Sequence, residues 1–516
     1  MPFLDRLQRW AELTPHATAI DVDGHRLSFR ELHDAAEAQL VCDQRTQPSR
    51  ITALALPNGT DFVVQFAAGV ANDSRCAVLD PGWPVPVRSA VDRQLSAVAA
   101  IEPATADTGP ASRRHAPVLS DGPGDSVFLY GFTSGTTSVP KAFTRNRQSW
   151  QLSFEASADV FGLTRDDRTL APGPFSSSLT LYALCESLYT GAALFGLSSF
   201  DVGAALRCLR KNSITRVVAV PSALQLIAER ALSADGAADG GADCAPGTGL
   251  TSIVSAGSKL QGETLALLRR WAPNATIFEY YGAAELGFVA ASAHRPDDGA
   301  RSEARFPHDR ATAVGTAFPG VEVRIQNDEG HALGQRQSGS IAVRSRLVCD
   351  GYDWGDDGEA FQRVGDWCTV GDQGYLDDDD VLHFLGRRTD MIITGGHNVY
   401  PHEVEAALHS VPGVRTALVT GLPDPRRGHR LVAAILLPDG VAAEPGTTDA
   451  DTTDADMTDA DMTVALRNAC RAALTVPKRP RTYYAMTELP LTTSGKLSRN
   501  LLARWILDGD PRVRTL

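Results

Sequence analysis

Ten consecutive residues, Phe132-Thr133-Ser134-Gly135-Thr136-Thr137-Ser138-Val139-Pro140-Lys141, carry the groups needed to hold an anion. Four hydroxyl side chains fall among the five residues from Thr133 to Thr137, with Gly135 between them. Small residues let backbone N–H groups approach an anion closely, the hydroxyls donate further hydrogen bonds, and Lys141 adds a compact positive charge. The run lacks the G-x-x-x-x-G-K-[ST] spacing of a Walker loop, so any phosphate chemistry here is of another kind. Lysine is rare in this chain: Lys141, Lys211, Lys259, Lys478 and Lys496 are the complete set. Where arginine supplies nearly all other positive charge, a retained lysine points to a position where a small ammonium is required.

Other chemistries are disfavoured. The eight cysteines are scattered and form no C-x-x-C pair, against a zinc framework or a disulfide scaffold. The formal net charge of −13 disfavours a nucleic-acid partner or an anionic membrane surface. The acidic T-D-A-D units of residues 447–463 lack the glycine turn and closing glutamate of a calcium loop, and read as a disordered surface insertion. Asp377–Asp380 reads as a solvated hairpin turn. Met1–Pro15 lacks the apolar core of a signal peptide, and no apolar run reaches the length of a membrane span. A cytoplasmic protein with no membrane span is expected.

The elements that must position these residues alternate. Ser126–Tyr130 reads as a strand opening into the hydroxyl-rich loop, and Gln148–Phe161 as a helix. Strands are expected at 216–220, 252–256 and 275–279, with helices at 222–232 and 262–271 between them. This alternation predicts an α/β domain with mostly parallel sheets, whose ligands sit beyond the C-terminal strand ends. The loops at 132–141, 256–259 and 281–285 occupy such ends. A chain of 516 residues exceeds one ordinary core. The pattern changes near Gly386: helices at 401–410 and 464–474 and strands at 414–420, 431–437 and 482–486 predict a small α+β domain. The expected organisation is a large N-terminal α/β domain, 1–386, and a small mobile α+β C-terminal domain, 387–516.

The loop at 132–141 resembles the phosphate loop of the adenylate-forming superfamily, and the overall pattern looks most like bacterial fatty acyl-CoA ligases. Other segments follow in family order: Leu27-Ser28-Phe29-Arg30-Glu31-Leu32, Asp80-Pro81-Gly82-Trp83-Pro84, Tyr281-Gly282-Ala283-Ala284-Glu285, Gly371-Asp372, Gly386-Arg387 with Asp390-Met391-Ile392, Pro401 with Glu403-Val404-Glu405, and Ser494-Gly495-Lys496. The resemblance implies ATP, Mg²⁺ and coenzyme A as reactants or cofactors. It implies that Thr133, Ser134, Gly135, Thr136, Thr137 and Lys141 hold phosphates. Glu285 would ligate Mg²⁺ together with phosphate oxygens. Tyr281 would lie against adenine, with Gly282, Ala283 and Ala284 beside it and the backbone of Gly257, Ser258 and Lys259 on the other face. Asp372 would accept from both ribose hydroxyls, and Arg387 would contact ribose or phosphate. Lys496 would stabilise charge growing between the attacking carboxylate and the α-phosphate.

The sequence departs from the family pattern at Ser138, Ala142, Ala284, Ser340 and Thr389. None of the departures removes a charged catalytic group. Amino-acid-activating relatives carry an aspartate where Ser176 stands, and nothing from Ala171 to Leu184 is acidic. A desolvated ammonium would lack a partner there, so the expected substrate is a carboxylic acid without an α-amino group. Coenzyme A is the expected thiol. The alternatives are an acyl-AMP ligase loading a free-standing acyl carrier protein, and a nucleotide-binding protein with a degenerate site.

Overall fold

The computed structural model describes residues 3–46, 51–101, 118–133, 139–233, 247, 249–296, 312–356, 358, 360–436, 458–491 and 497–516, with backbone alone at 44–46, 101 and 398. The chain divides into two compact units. The first comprises residues 1–302, 314–324 and 342–370, and the second comprises 303–313, 325–341 and 371–516.

Two sheets organise the first unit. One runs in the order Ile51–Leu54, Arg75–Val78, Val127–Thr133, Lys141–Asn146 and Gly351–Trp354. Its first three strands are parallel, Lys141–Asn146 pairs antiparallel with Val127–Thr133, and Gly351–Trp354 pairs antiparallel with Lys141–Asn146. The other contains Thr18–Val22, Ala193–Gly196, Arg168–Ala171, Arg216–Ala219, Ser252–Ser255 and Thr276–Ala283 as parallel neighbours in that order. Gly287–His294 continues it antiparallel to Thr276–Ala283. Buried β-branched and aliphatic runs, such as Val217 and Val218 or Ile253 and Val254, suit strands covered on both faces. The helices Val202–Lys211, Pro221–Leu232 and Gly262–Trp271 cover one face through Leu206, Leu224, Ile227 and Leu268.

The expected helix at 262–271 and strand at 482–486 are observed as Gly262–Trp271 and Thr482–Met486. The strand expected at 275–279 instead extends to Ala283, because Tyr280, Tyr281, Gly282 and Ala283 pair with Ala291, Ala290, Phe288 and Gly287. Glu285 thus sits in the turn of an antiparallel hairpin.

In the second unit, Asp372–Leu376 and Leu382–Arg387 form a hairpin. A separate sheet is built around Gly428–Leu436, flanked by Thr416–Asp424 and Thr482–Met486. The helices Pro401–His409 and Asp459–Ala473 pack on it through Val404, Leu408, Leu466 and Cys470. The expected domain boundary at 386/387 falls inside this unit, since Asp372 pairs with Arg387 across the hairpin.

Two expectations are corrected. The last residues of the acidic stretch are helical: Thr458 caps the helix Asp459–Ala473 in a capping box with Asp461, and Met462 is buried. Residues 447–457 lie outside the described residues. Asp377 is buried rather than solvated. Its carboxylate accepts from the N–H groups of Asp379 and Val381 and bonds His383 Nε2 at 3.2 Å, so it organises the turn from inside.

Glu405 ties the second unit together. It is buried and accepts two hydrogen bonds from Arg499 Nη2 at 2.9 and 2.8 Å and one from the Val419 N–H at 2.9 Å. Burial alone would raise its carboxyl pKa, but Arg499, the His402 ring and the Val419 N–H outweigh it and hold the group at about 2. A depressed carboxyl pKa stabilises the fold above the ordinary carboxylate range and loses that contribution as pH falls through the folded value. A drop from 4.5 to about 2 corresponds to about 3 kcal/mol. Acid unfolding of this unit should therefore steepen between pH 4.5 and 2. In Glu405→Gln that acid-dependent component should disappear, with about 3 kcal/mol lost at pH 7. Circular dichroism against pH tests both expectations, and matching acid profiles would refute the role.

Candidate active site

The anion loop joins two strands of one hairpin. Thr133 ends Val127–Thr133 and Lys141 begins Lys141–Asn146, and the two are registered partners. Ser134, Gly135, Thr136, Thr137 and Ser138 lie outside the described residues. The returning leg is pinned by Trp354, whose Nε1 donates to the Pro140 carbonyl at 3.1 Å. Lys141 is buried against Gly355, where a Cβ would sit 3.1 Å from Lys141 Cα. Gly355 has φ +79°, so a side chain there would be strained as well as crowded against Lys141.

The turn carrying Glu285 approaches the same hairpin. Glu285 is buried, and its Oε1 lies 2.5 Å from the Tyr352 hydroxyl. Tyr352 Oη is in turn 2.9 Å from Thr133 Oγ1. Burial and the neighbouring Glu285 push the Tyr352 phenol well above its ordinary value. Tyr352 stands on Gly351–Trp354, where it pairs with Phe143. Arg145, also in this unit, is buried without a carboxylate at bonding distance among the contacts described. It donates from Nε and Nη2 to the Ala284 carbonyl at 3.0 and 2.6 Å, and from Nη1 to the Leu347 carbonyl at 2.6 Å. Burial lowers its pKa, and Cys349 and Glu285 oppose that shift. One guanidinium therefore holds both the residue before Glu285 and the segment leading to Tyr352.

Tyr281 and Gly282 are in the strand leading to this turn, with an irregularity between them. A Cβ at Gly282 would lie 2.4 Å from the Gly287 carbonyl oxygen, so the close approach of the two strands requires glycine. Tyr281 is half-buried, as are Ala283 and Ala284. Gly257, Ser258 and Lys259 follow Ser252–Ser255, with Gly257 at φ +89°. Lys259 Nζ bonds the buried Glu279 at 2.5 Å, and the Leu260 N–H donates to the same carboxylate at 2.7 Å. Glu279 thereby anchors this loop to the Tyr281 strand.

In the second unit, Asp372 is buried, and Arg387 Nε lies 3.5 Å from its Oδ1 with the arginine side chain 62% exposed. These two expected ribose residues are thus adjacent. Lys496 lies outside the described residues. Among the described residues there is no group of three metal-ligating side chains. A single buried carboxylate nevertheless suits Mg²⁺, which takes one or two carboxylates with phosphate oxygens and water.

Sequence reasoning missed Tyr352, Arg145 and Glu279. It also missed the buried pair Glu186–Arg216, 2.8 Å apart, in the first unit. Arg145 and Glu279 lie on the strands that carry Lys141 and Tyr281, but their own roles rest on partners that only folding brings to them.

The chain belongs to the AMP-binding enzyme family: the family model matches residues 7–353, and the AMP-binding enzyme C-terminal domain matches residues 403–496. Among curated relatives, it is 28% identical over 517 residues to the uncharacterized acyl-CoA ligase YhfT of Bacillus subtilis, covering 96% of each chain. It is 25% identical to the putative long chain fatty acid-CoA ligase VraA of Staphylococcus haemolyticus, covering 99% of this chain and 100% of that one. Among solved structures, it shares the fold of o-succinylbenzoate coenzyme A synthetase from Bacillus subtilis, in complex with ATP and magnesium ion, with a TM-score of 0.71, 22% identity, and coverage of 96% and 98% of the two chains. No helix among the described residues is long and apolar enough to cross a membrane.

Arg145→Met keeps the aliphatic stem but leaves the Ala284 and Leu347 carbonyls without their donor. The expected cost is roughly 3 kcal/mol, read as a lower urea midpoint. An unchanged midpoint would show that the guanidinium does not hold these segments.

Proposed function

We propose that this chain is an AMP-forming acid–thiol ligase that activates a carboxylic acid with ATP and passes the acyl group to coenzyme A. One observation carries the proposal: a buried Glu285 bonded through Tyr352 to Thr133, at the base of the hydroxyl-rich loop, in a chain matched by both family models.

Thr133, Ser134, Gly135, Thr136, Thr137 and Lys141 hold the phosphates. Tyr281 lies against adenine, with the Gly257-Ser258-Lys259 backbone opposite. Asp372 accepts from the ribose hydroxyls, and Arg387 contacts ribose or phosphate. Mg²⁺ belongs on Glu285 and, when bound, offsets charge on the triphosphate. An oxygen of the acid attacks the α-phosphorus in line, and pyrophosphate leaves with the electron pair of the broken bond. Lys496 stabilises the growing oxygen charge. The residues from 387 then turn about 387–390, withdrawing Lys496 and presenting the Gly395-Gly396 loop. A thiolate attacks the acyl carbon and AMP leaves.

Ser176, where amino-acid-activating relatives carry an aspartate, supports an acid without an α-ammonium. Leu179 and Tyr182 of the adjoining helix line a small cavity with Phe161, Tyr280 and Phe288 and with the ion-paired Glu186 and Arg216. The YhfT and VraA names support coenzyme A and a fatty acid. Dependence on ATP and coenzyme A supports a cytoplasmic location. A carrier-protein phosphopantetheine is the competing acceptor.

A panel of free acids assayed for pyrophosphate release, with and without coenzyme A, tests the reading. AMP is the expected nucleotide product, and ADP would point to an ATP hydrolase. Lys496→Ala should lower adenylate formation by about 10²–10³-fold yet spare thioester formation from supplied acyl-AMP. Equal loss in both half-reactions would overturn the role of Lys496. Asp372→Ala should weaken ATP binding, by equilibrium titration, more than it lowers the rate at saturation.

A further inference from the structure

Glu285 and Thr133 come from different hairpins of the first unit, and one side chain joins them. Tyr352 Oη lies 2.5 Å from Glu285 Oε1 and 2.9 Å from Thr133 Oγ1. A carboxylate only accepts, so the phenol donates to Glu285. Its single proton is then committed, and the Thr133 hydroxyl donates to the phenol oxygen. The chain Thr133 to Tyr352 to Glu285 therefore has one direction, and donors in series polarise one another. The bond engages Oε1, and Oε2 would remain available to a metal. The Tyr352 ring packs edge-on to Phe143 at 5.9 Å, on the strand that begins at Lys141.

We infer that Tyr352 is a positioning residue that couples the metal-binding carboxylate to the first hydroxyl of the phosphate loop, so that cation and nucleotide bind interdependently. This inference rests on the reading of Glu285 as the Mg²⁺ carboxylate. By holding one oxygen, Tyr352 fixes the carboxylate rotamer before the cation arrives. A phosphate oxygen that takes the Thr133 proton breaks this bond, so the same contact senses whether the loop holds phosphate. Partners of this kind, one step from a metal ligand, are typically worth 10–100-fold in metal affinity or activity.

The test compares ATP affinity with and without Mg²⁺, by calorimetry in the absence of acid, for the wild type, Tyr352→Phe, Thr133→Val and the double variant. Phenylalanine keeps the contact with Phe143 and loses only the hydroxyl. The ratio of the two dissociation constants should fall about tenfold in Tyr352→Phe. The Mg²⁺ concentration for half-maximal pyrophosphate release should rise by a similar factor. The double variant should lose no more than the worse single variant, because both changes break one chain. An unchanged Mg²⁺ ratio in a folded Tyr352→Phe, or losses that multiply in the double variant, would overturn the coupling. Should Tyr352→Phe fail to fold, Thr133→Val reads the same link from its other end, and an unchanged ratio there overturns it equally. A wild type that binds no ATP would instead sink the ligase reading itself, and the coupling with it.

Discussion

A buried guanidinium that bonds carbonyls holds the first unit's site together. Arg145 lies in the strand immediately after the anion loop, and its donors reach the Ala284 and Leu347 carbonyls. One of these precedes Glu285, and the other lies on the path to Tyr352. A charge buried this way is costly unless each of its hydrogen bonds is made to a fixed partner. That requirement makes the arrangement specific: the hairpin turn and the segment near Leu347 must arrive together for Arg145 to be satisfied. Once they do, Glu285, Tyr352 and Thr133 fall into hydrogen-bonding order.

The second unit solves a similar problem with an ion pair. Glu405 sits on the helix beginning at Pro401 and binds Arg499 at the start of the C-terminal helix. The resemblance drew attention to the Pro401-to-Glu405 segment, and the structure gives Glu405 an architectural task. The rarity of lysine reads differently at each site. Lys259 and Lys478 are spent on carboxylates, Glu279 and Glu403, at 2.5 and 2.6 Å. At these two positions a scarce lysine marks a specific ammonium contact rather than chemistry.

The corrections share one physical cause. Asp377 looked solvated because four aspartates in succession are usually exposed, yet the turn needs an acceptor for inward-facing N–H groups and His383. The acidic stretch looked disordered by composition, yet Thr458 and Asp461 form a capping box that starts a helix carrying Met462 into the core. Local composition cannot reveal a burial that depends on the neighbouring element.

The sequence alone determined the kinds of chemistry and their order along the chain: a hydroxyl-rich loop with a lysine, a carboxylate after Tyr281-Gly282, an aspartate after Gly371. Those signals are local, because glycine, hydroxyls and charge within a short loop have meaning without the rest of the fold. Strand and helix positions were legible for the same reason, through periodicity and turn residues. Tertiary structure decided which groups meet. Thr133 and Tyr352 are 219 positions apart, and Arg145 and Leu347 are 202 apart, so no spacing rule connects them. Hydrogen bonds between such distant residues form only after sheet pairing has fixed both strands, and for that reason Tyr352, Arg145 and Glu279 became visible only in three dimensions.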